Sequence, residues 1–229
     1  MLGSSAWRKY ISKATQNWEG DRNWHDYFTF LLTRHYPVTT VEPQTKSLIE
    51  KLQAGGHIVV GFTARERAIW YSTPQEGVDQ ATSDQLHSLG IHLEKSKLEE
   101  NYPLFALSPE LFRGTFFVDT DTKGEFLTKL LSTADQHPPK ILFFDDKREN
   151  VESVATALTD LNIECECYHY LATEPKRAIF DPLIANIQLY SFISSNYERV
   201  LFDEEALAIA KENPSLTAED YLNLIHSGV

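Results

Sequence analysis

The feature that most constrains this chain is a repeated alternation of short apolar segments with helical segments. The pattern appears as HIVVGFTAR (57–65), TFFVDTDTKGEFLTKLLSTA (115–134), KILFFDDKRENVESVATALTDLNI (140–163) and IECECYHY (163–170). The first three of these strand segments are apolar almost throughout, which is typical of strands covered on both faces. The sequence therefore predicts an α/β fold, with a Rossmann-like parallel sheet and helices on both faces.

The flanking regions are helical in pattern and divide the chain into parts. We predict a single domain over residues 1–229, with a helical cap-like region at 4–36 and an α/β core at 38–180. The remaining residues, 181–229, have a purely helical pattern and form a C-terminal helical appendage. In it, Pro214 should end one helix, and Thr217 with Asp220 should cap the next.

Charge and hydropathy narrow the classes of function. The chain has 33 acidic and 21 basic residues and a net charge of -12, which disfavours binding to nucleic acid. It contains no apolar run of the roughly 20 residues that a bilayer span needs, so we expect no membrane insertion. The N-terminus, MLGSSAWRKYISK, lacks the apolar core of a secretory signal peptide, which predicts a cytoplasmic protein and leaves signal-independent secretion from a bacterium open.

The two cysteines are a close pair on one predicted strand. Cys165 and Cys167 share a strand face with Ile163, because side chains alternate between the two faces. Two cysteines this close do not suit an ordinary structural disulfide, and the pair alone makes a poor metal site. We interpret them as small core residues.

Polar residues follow the apolar segments where each strand ends. Thr63, Ala64 and Arg65 follow the first strand, Lys123 and Gly124 follow the second, and Asp145 and Asp146 end the third. In open α/β sheets the functional groups gather at the carboxyl ends of the strands, so these side chains should meet at one edge.

The types of these residues indicate phosphate and metal chemistry. A cation at a helix start, such as Lys123, opposes the helix dipole unless an anion such as phosphate lies there. Two adjacent carboxylates, Asp145 and Asp146, repel one another and suit a hard cation such as Mg²⁺. The alternative is that both aspartates only cap the helix that follows.

Taken together, these motifs resemble the haloacid dehalogenase-like (HAD) superfamily of aspartate-nucleophile phosphohydrolases. VVGFTAR is similar to that family's second motif, DTKGEFL to the third and ILFFDDKREN to the fourth, over roughly residues 1–200. The resemblance implies phosphate binding and catalysis by Thr63 and Lys123, further substrate contacts from Ala64, Arg65 and Gly124, and Mg²⁺ ligation by Asp145 and Asp146. It also extends to a branch of uncharacterised proteins from intracellular bacteria. The expected substrate is a phosphorylated small molecule or phosphoprotein.

The first motif of that family, a strand ending in D-x-D, has no clear counterpart in this chain. Its first aspartate is the nucleophile and its second the acid/base, so without it we expect Mg²⁺ to be held weakly or not at all. Asp119 and Asp121 have the D-x-D spacing but run directly into the Lys123 motif. The hypotheses are a phosphatase whose nucleophile strand is truncated from this sequence, and a catalytically inactive binding or scaffold module.

The N-terminal region bears on the nature of the substrate. It is rich in aromatic residues, which would suit a flat substrate such as phosphotyrosine if they line a cleft; they are Trp7, Trp18, Trp24 and Tyr27. For most of these rings the pattern favours core packing, and the rim over a cleft is the alternative. Arg65, which follows Thr63, suits either phosphate recognition or a surface ion pair.

Overall fold

The structure, a computed structural model, describes most but not all of the chain. The described residues are 5–15, 32–34, 36–65, 67, 77–118, 121–134, 136–174, 179–196 and 198–227. Asp119, Trp18, Trp24 and Tyr27, which the sequence brought into the site or the cap, lie outside these residues.

Helices and strands alternate through the middle of the chain, as the sequence pattern predicts. The α-helices are α1 (Ser5–Thr15), α2 (Thr45–Ala54), α3 (Val78–Ser88), α4 (Leu98–Asn101), α5 (Pro103–Ala106), α6 (Lys123–Ser132), α7 (Arg148–Asp160), α8 (Pro182–Ser194), α9 (Asp203–Glu212) and α10 (Ala218–Ser227). The strands are β1 (Gly61–Thr63), β2 (Leu111–Phe112), β3 (Thr115–Phe117), β4 (Lys140–Asp145) and β5 (Glu164–His169). The prediction of an α/β fold is confirmed.

The chain divides into two compact units, which we describe separately. One comprises Met1–Tyr36 with Glu174–Val229, and the other comprises Pro37–Thr173. These boundaries lie near those predicted for the cap-like region, the core and the C-terminal helices. The organisation of the whole chain as one domain stays a prediction.

The strands of the unit at 37–173 form two sheets in the described part of the chain. One has the order β1-β3-β2, with β1 parallel to β3 and β2 antiparallel to it, and the other pairs β4 with β5 in parallel. One continuous parallel sheet is therefore not seen among the described residues. Leu142, Phe144 and Tyr168 lie on the outer face of the second sheet and are 55%, 60% and 45% exposed.

The first predicted strand is shorter than the apolar run suggests. The run at 58–62 favours a strand, but β1 covers only Gly61–Thr63. The physical reason lies at Val59, whose backbone N–H donates to Ser96 Oγ at 3.0 Å while its carbonyl accepts from the same hydroxyl at 2.7 Å. A side chain thus takes the place that a neighbouring strand would occupy.

The inner faces of both sheets share one core with helices α6 and α7. Phe116, Phe126, Phe143 and Val154 are among its buried members, and Cys165 and Cys167 pack against it. The two thiols are free and half-buried, which agrees with their interpretation as packing residues. Burial, followed by the neighbouring Cys165, raises the pKa of Cys167 to about 11.

The other unit is helical and has its own core. Buried residues Trp7 and Ile11 of α1 pack with Leu189 and Phe192 of α8. The indole N–H of Trp7 donates to the buried Gln188 side chain at 2.8 Å. Trp7 is only 1% exposed, which agrees with the core-packing role that the sequence favours and not with a substrate rim. A large ring with a satisfied N–H is more stable in the core than at a cleft.

The C-terminal caps agree with the sequence. Helix α9 ends at Glu212, two residues before Pro214. The Asp220 backbone N–H donates to Thr217 Oγ1 at 3.2 Å, and the Thr217 N–H donates to the Asp220 carboxylate at 2.8 Å. This reciprocal pair satisfies amides at the start of α10 that no helical partner can reach.

Candidate functional site

Lys123 connects the ends of two strands that belong to different sheets. It is the first residue of α6 and is 8% exposed. Its ammonium group donates to Asp145 Oδ2 at 2.5 Å, at the end of β4, and to the Phe62 carbonyl at 2.7 Å, within β1. Phe62 and Asp145, which are 61 and 22 positions from Lys123 in sequence, therefore meet at one edge.

The helix that carries Lys123 begins at a well-defined cap. Thr122 Oγ1 accepts from the Glu125 N–H at 3.2 Å, and the Glu125 carboxylate accepts from the Thr122 N–H at 2.9 Å. This capping box fixes the first turn of α6 and thereby the direction of Lys123. The unfavourable interaction of the ammonium with the helix dipole is offset by an anion, and in this structure that anion is Asp145.

The Phe62 carbonyl is available because of the ladder of the β1 and β3 pair. Gly61 donates to the Gly114 carbonyl, and the Thr63 carbonyl accepts from Val118, each at 2.8 Å. Backbone groups alternate in direction along a strand, so the groups of Phe62, between these two residues, point away from β3. Lys123 thus satisfies a carbonyl that β3 cannot reach.

The same alternation leaves backbone groups of β4 directed away from β5. The Asp145 carbonyl accepts from Tyr170 at 2.8 Å, on the β5 side. The peptide groups of Phe144 and Leu142 therefore point to the opposite edge. Within the described ranges no strand pairs with that edge, or with the edge of β1 that faces away from β3.

Asp145 is a buried carboxylate with partners on both oxygens. Besides Lys123 on Oδ2, its Oδ1 accepts from the Lys147 N–H at 2.8 Å and from the Asn150 side-chain amide at 3.0 Å. Burial alone would raise the pKa of Asp145, but the hydrogen bonds from Lys123, Asn150 and Lys147 outweigh burial and hold that pKa below its usual value. The carboxylate is therefore charged near neutral pH.

Two aromatic rings surround the ammonium group. Lys123 Nζ lies 5.6 Å from the ring centroid of Phe62 and 5.7 Å from that of Phe143. The rings shield the ion pair from water and attract the cation through their faces. Shielding makes the charge of Lys123 more effective towards any anion that enters this edge.

The residues at and just after the end of β1 differ in their contacts. Thr63 directly follows the carbonyl that Lys123 contacts, and its Oγ1 accepts from the Arg65 N–H at 3.3 Å. The Arg65 guanidinium instead donates to Thr82 at 2.7 Å and Gln85 at 3.2 Å, both on α3. Ala64 is exposed. The structure thus turns the Arg65 side chain to α3, while the Thr63 hydroxyl holds the turn.

Gly124 allows α6 and α7 to approach closely. A Cβ atom built on it would lie 2.3 Å from the Ser153 carbonyl oxygen, closer than any real contact. Its N–H donates to the Ser153 hydroxyl at 3.0 Å. The structure therefore gives Gly124 a packing role, and its N–H has a partner on α7.

The remaining acidic candidates have different surroundings. Asp146 is half-buried, and its main-chain carbonyl contacts the His169 ring at 3.3 Å. Asp121 accepts from Lys129 at 2.7 Å in an exposed ion pair. That contact agrees with a polar turn before α6, the alternative to a D-x-D nucleophile pair.

The structure also brings together three residues that the sequence did not single out as a site. His87, His92 and Glu94 place their ligand atoms within 4.8 Å of one another. The spacing H-x4-H-x-E crosses the end of a helix, so no helical or strand period connects these residues. The signal that could have found them is Gly90, which ends the helix and reverses the chain.

Comparison with known proteins places the chain in a family. The family model described as "Protein of unknown function (DUF2608)" matches residues 1–206. The chain belongs to this family. The prediction of a branch of uncharacterised proteins is thereby confirmed, and the family description does not support the hydrolase, phosphatase or HAD assignments.

Two relatives come from intracellular bacteria. A Chlamydia pneumoniae protein named "Putative outer membrane protein" is 28% identical over 176 residues, which cover 75% of this chain and 60% of the relative. A Chlamydia trachomatis protein with the same name is 24% identical over 180 residues, or 78% of this chain and 62% of the relative. The chain thus spans about three fifths of the length of these relatives. No solved structure matches the chain.

The relatives' names overturn the prediction of a cytoplasmic protein. Both are named for the outer membrane, which lies outside the cytoplasm. Within the described part of the chain, no helix has the length and hydropathy to cross a membrane.

Proposed function

We propose that this chain forms the phosphate-binding part of a Mg²⁺-dependent phosphohydrolase of the HAD type, which cleaves phosphomonoesters through an aspartyl-phosphate. The observation that carries the proposal is the bridge from Lys123 to the Phe62 carbonyl and Asp145. It joins the second, third and fourth motifs of the resemblance at the carboxyl ends of β1 and β4. In open α/β sheets, ligands bind at the carboxyl ends of the strands, which is where these three motifs meet.

In this proposal the ammonium group of Lys123, which donates to Asp145 in this structure, binds a phosphate oxygen. Thr63 contributes a hydroxyl beside the Phe62 carbonyl, and the two phenyl rings exclude water from the ammonium. Charge neutralisation at a transferring phosphoryl group is the main catalytic contribution available to such side chains.

Asp145 and Asp146 would hold Mg²⁺, which supplies further neutralisation of phosphate charge. Asp145 fits this role in part: three hydrogen bonds use three of about four acceptor positions on its carboxylate. One position therefore stays open to a hard cation. With so few free oxygens we expect this site alone to bind Mg²⁺ weakly.

The nucleophile of such an enzyme must come from a carboxylate close to this edge. The edges of β1 and β4 that point away from their own sheets pair with no strand in the described part of the chain, so an additional strand could pair there. At β1 it would share the Phe62 carbonyl with Lys123. We place the D-x-D strand there in the parent protein. The 229-residue chain should then show no Mg²⁺-dependent hydrolysis of an aryl phosphate such as p-nitrophenyl phosphate.

A second candidate function is a catalytically inactive binding or scaffold module. It is favoured because two donors at this edge already have partners within the chain. Lys123 donates to Asp145, and the Gly124 N–H donates to Ser153. A module of this kind would use the edge to bind phosphate without turnover, or would use the fold alone.

The names of the relatives support an envelope location for the protein. Immunoblotting of cytoplasmic and envelope fractions from the source bacterium would test this. We expect the protein in the envelope or outside the cell. Its recovery with cytoplasmic marker proteins alone would contradict the assignment.

The activity test compares the 229-residue chain with a form extended by any in-frame sequence upstream of the Met1 codon. We expect Mg²⁺-dependent p-nitrophenyl phosphate hydrolysis only in the extended form, and its loss on Lys123→Ala. Lys129→Ala is the matched control, since Lys129 lies on the same helix and is 67% exposed. Circular dichroism of each variant checks that the fold is kept.

Phosphate binding separates the two candidates. Calorimetric titration with inorganic phosphate and Mg²⁺ should detect binding that Lys123→Ala abolishes and Lys129→Ala keeps. Binding without turnover in both forms would favour the inactive module. Absence of binding in both forms would contradict a phosphate site at this edge.

A further inference from the structure

His87, His92 and Glu94 form a compact group of metal-ligating side chains, which we call the histidine cluster. His87 Nε2 lies 3.2 Å from a carboxylate oxygen of Glu94, and His92 Nδ1 lies 3.1 Å from Glu94 Oε1. The two imidazole rings are 4.6 Å apart between centroids. The side chains are 28%, 34% and 37% exposed, so the cluster lies at the surface with one side open to water.

The end of α3 determines how His87 meets His92. Gly90 has a φ of 70°, and its N–H donates to the His87 carbonyl at 2.8 Å. The next N–H, of Ile91, donates to the Leu86 carbonyl at 3.0 Å. This left-handed termination reverses the chain within a few residues, so that His92 returns over the last turn of the helix.

Contacts from other elements fix the returning segment. The Gln53 side chain of α2 donates to the His92 carbonyl at 2.9 Å and to the Ser96 hydroxyl at 3.0 Å. Leu93, between the two ligands His92 and Glu94, is 6% exposed. Gly114 packs so closely on Leu93 that a Cβ there would lie 2.5 Å from the Leu93 carbonyl carbon. The backbone of the cluster is thus held in place by the fold.

The spacing of the ligand atoms suits a tetrahedral ion. Zn²⁺ binds imidazole nitrogen and carboxylate oxygen at about 2.0–2.2 Å, so neighbouring ligands of a tetrahedron are about 3.3 Å apart. The two nitrogen-to-oxygen distances in the cluster, 3.2 Å and 3.1 Å, are close to this value. All three ligand atoms lie within 4.8 Å of one another, so they can face one ion.

We infer that His87 Nε2, His92 Nδ1 and the Glu94 carboxylate bind Zn²⁺, with water as the fourth ligand. Two imidazoles and one carboxylate favour Zn²⁺ over Mg²⁺, because Mg²⁺ prefers oxygen ligands. The open side of the cluster gives a water molecule access to the fourth position. This site is separate in its residues from the Lys123 edge and does not depend on the proposed phosphatase function.

The competing explanation is a carboxylate that accepts hydrogen bonds from two neutral imidazoles. Burial would raise the pKa of Glu94, but hydrogen bonds from its own backbone and from both histidines outweigh burial and lower that pKa. A charged carboxylate is required by both explanations. Metal binding itself must therefore separate them.

The experiment titrates the metal-free 229-residue chain with Zn²⁺ in competition with a chromophoric chelator. We expect one equivalent to bind, and His87→Gln or Glu94→Gln to weaken binding at least about tenfold, since even outer-shell changes at zinc sites have effects of that size. His57→Gln is the matched control, because His57 is exposed in the same unit of the chain. It should bind Zn²⁺ as the unchanged protein does.

Two further readouts make the result decisive. Zn²⁺ should raise the melting temperature of the unchanged protein and of His57→Gln, but not of His87→Gln/Glu94→Gln, because only ligand bound to the native state stabilises it. Co²⁺ in place of Zn²⁺ should give the visible absorption of a tetrahedral ion. Equal Zn²⁺ affinity in the double variant, or no stoichiometric binding by the unchanged protein, would overturn the inference.

Discussion

The Lys123–Asp145 pair and the histidine cluster place charged and polar groups together in opposite ways. The pair is buried, with side chains 9% and 5% exposed, and its two charges satisfy one another at 2.5 Å. The histidine cluster is partly exposed and surrounds one carboxylate with two imidazoles. The first arrangement gains its stability from internal partners, whereas the second leaves room for a ligand.

This difference bears on how each region would bind an ion or a phosphate. At the Lys123 edge a ligand must compete with an existing buried ion pair, so binding and stability are coupled. At the histidine cluster an ion would add ligation to groups that are already close and still hydrated. Disruption of the first region should therefore affect folding, and disruption of the second should affect mainly metal binding.

The largest expected effect is on the free energy of unfolding when the buried pair is broken. Lys123→Met leaves Asp145 buried and without its cation, which typically costs about 3–5 kcal/mol. Guanidinium denaturation followed by circular dichroism would measure the change. Zn²⁺ binding by any protein that still folds should be unchanged, because the histidine cluster shares no residue with the pair.

Lys129→Met is the control for that substitution. This substitution removes the same charge from the same helix, but the ion pair of Lys129 with Asp121 is exposed. Exposed pairs contribute little to stability, so the unfolding curve should barely move. Equal destabilisation by both variants would mean that the Lys123–Asp145 pair has no special structural role.

A smaller effect should follow from crowding the start of α6 without changing any charge. In Gly124→Ala the new methyl group would lie 2.3 Å from the Ser153 carbonyl, so α6 and α7 must separate. Overpacking of this kind costs about 1–3 kcal/mol. The same denaturation experiment measures it, and weaker phosphate binding should accompany it if Lys123 moves with the helix.

Gly55→Ala provides the matched comparison for Gly124→Ala. Its added methyl group would lie 3.4 Å from the nearest atoms, an ordinary contact, at a φ of -77°. Stability should hardly change. If Gly124→Ala were equally well tolerated, the close approach of the two helices would not be required.

The predictability of the two regions differs for a physical reason. Lys123 and Asp145 were predicted to meet because the carboxyl ends of parallel strands lie at one edge, a rule that needs only strand order. Their direct contact was not predicted, since the sequence indicated phosphate and Mg²⁺ where the chain supplies its own counter-ion. The contacts of the Gly124 N–H with α7 and of the Arg65 side chain with α3 were likewise not predicted, because they depend on how distant helices pack.

The histidine cluster was not predicted because its geometry depends on one turn. Gly90 marks the end of a helix, but the direction of the following chain comes from contacts with Gln53 and Gly114, which are distant in sequence. The length of β1 depends in the same way on the hydroxyl of Ser96. Local patterns predict where elements begin and end, whereas single long-range contacts decide how segments between them are placed.

The smallest expected effect is a difference in acid sensitivity between the two carboxylates at the centres of these regions. The folded-state pKa of Asp145 lies below the unfolded value of about 3.9, so its contribution to stability is complete above that value and is lost as pH falls through the folded pKa. Asp145→Asn lacks this pH-dependent contribution to stability, so the free energy of unfolding of the variant should fall less steeply below pH 4. Other carboxylates titrate in both proteins and cancel in the difference between the two curves.

Glu94→Gln makes the equivalent change in the histidine cluster. The pKa of Glu94 is also lowered, so the direction of the effect is the same, but this carboxylate is 37% exposed and solvent screens its interactions. Urea denaturation from pH 7 to pH 3 should therefore show a clear loss of acid sensitivity for Asp145→Asn and a slight one for Glu94→Gln. The reverse order would mean that burial does not distinguish the two regions, and that the Lys123–Asp145 pair is solvated in the native protein.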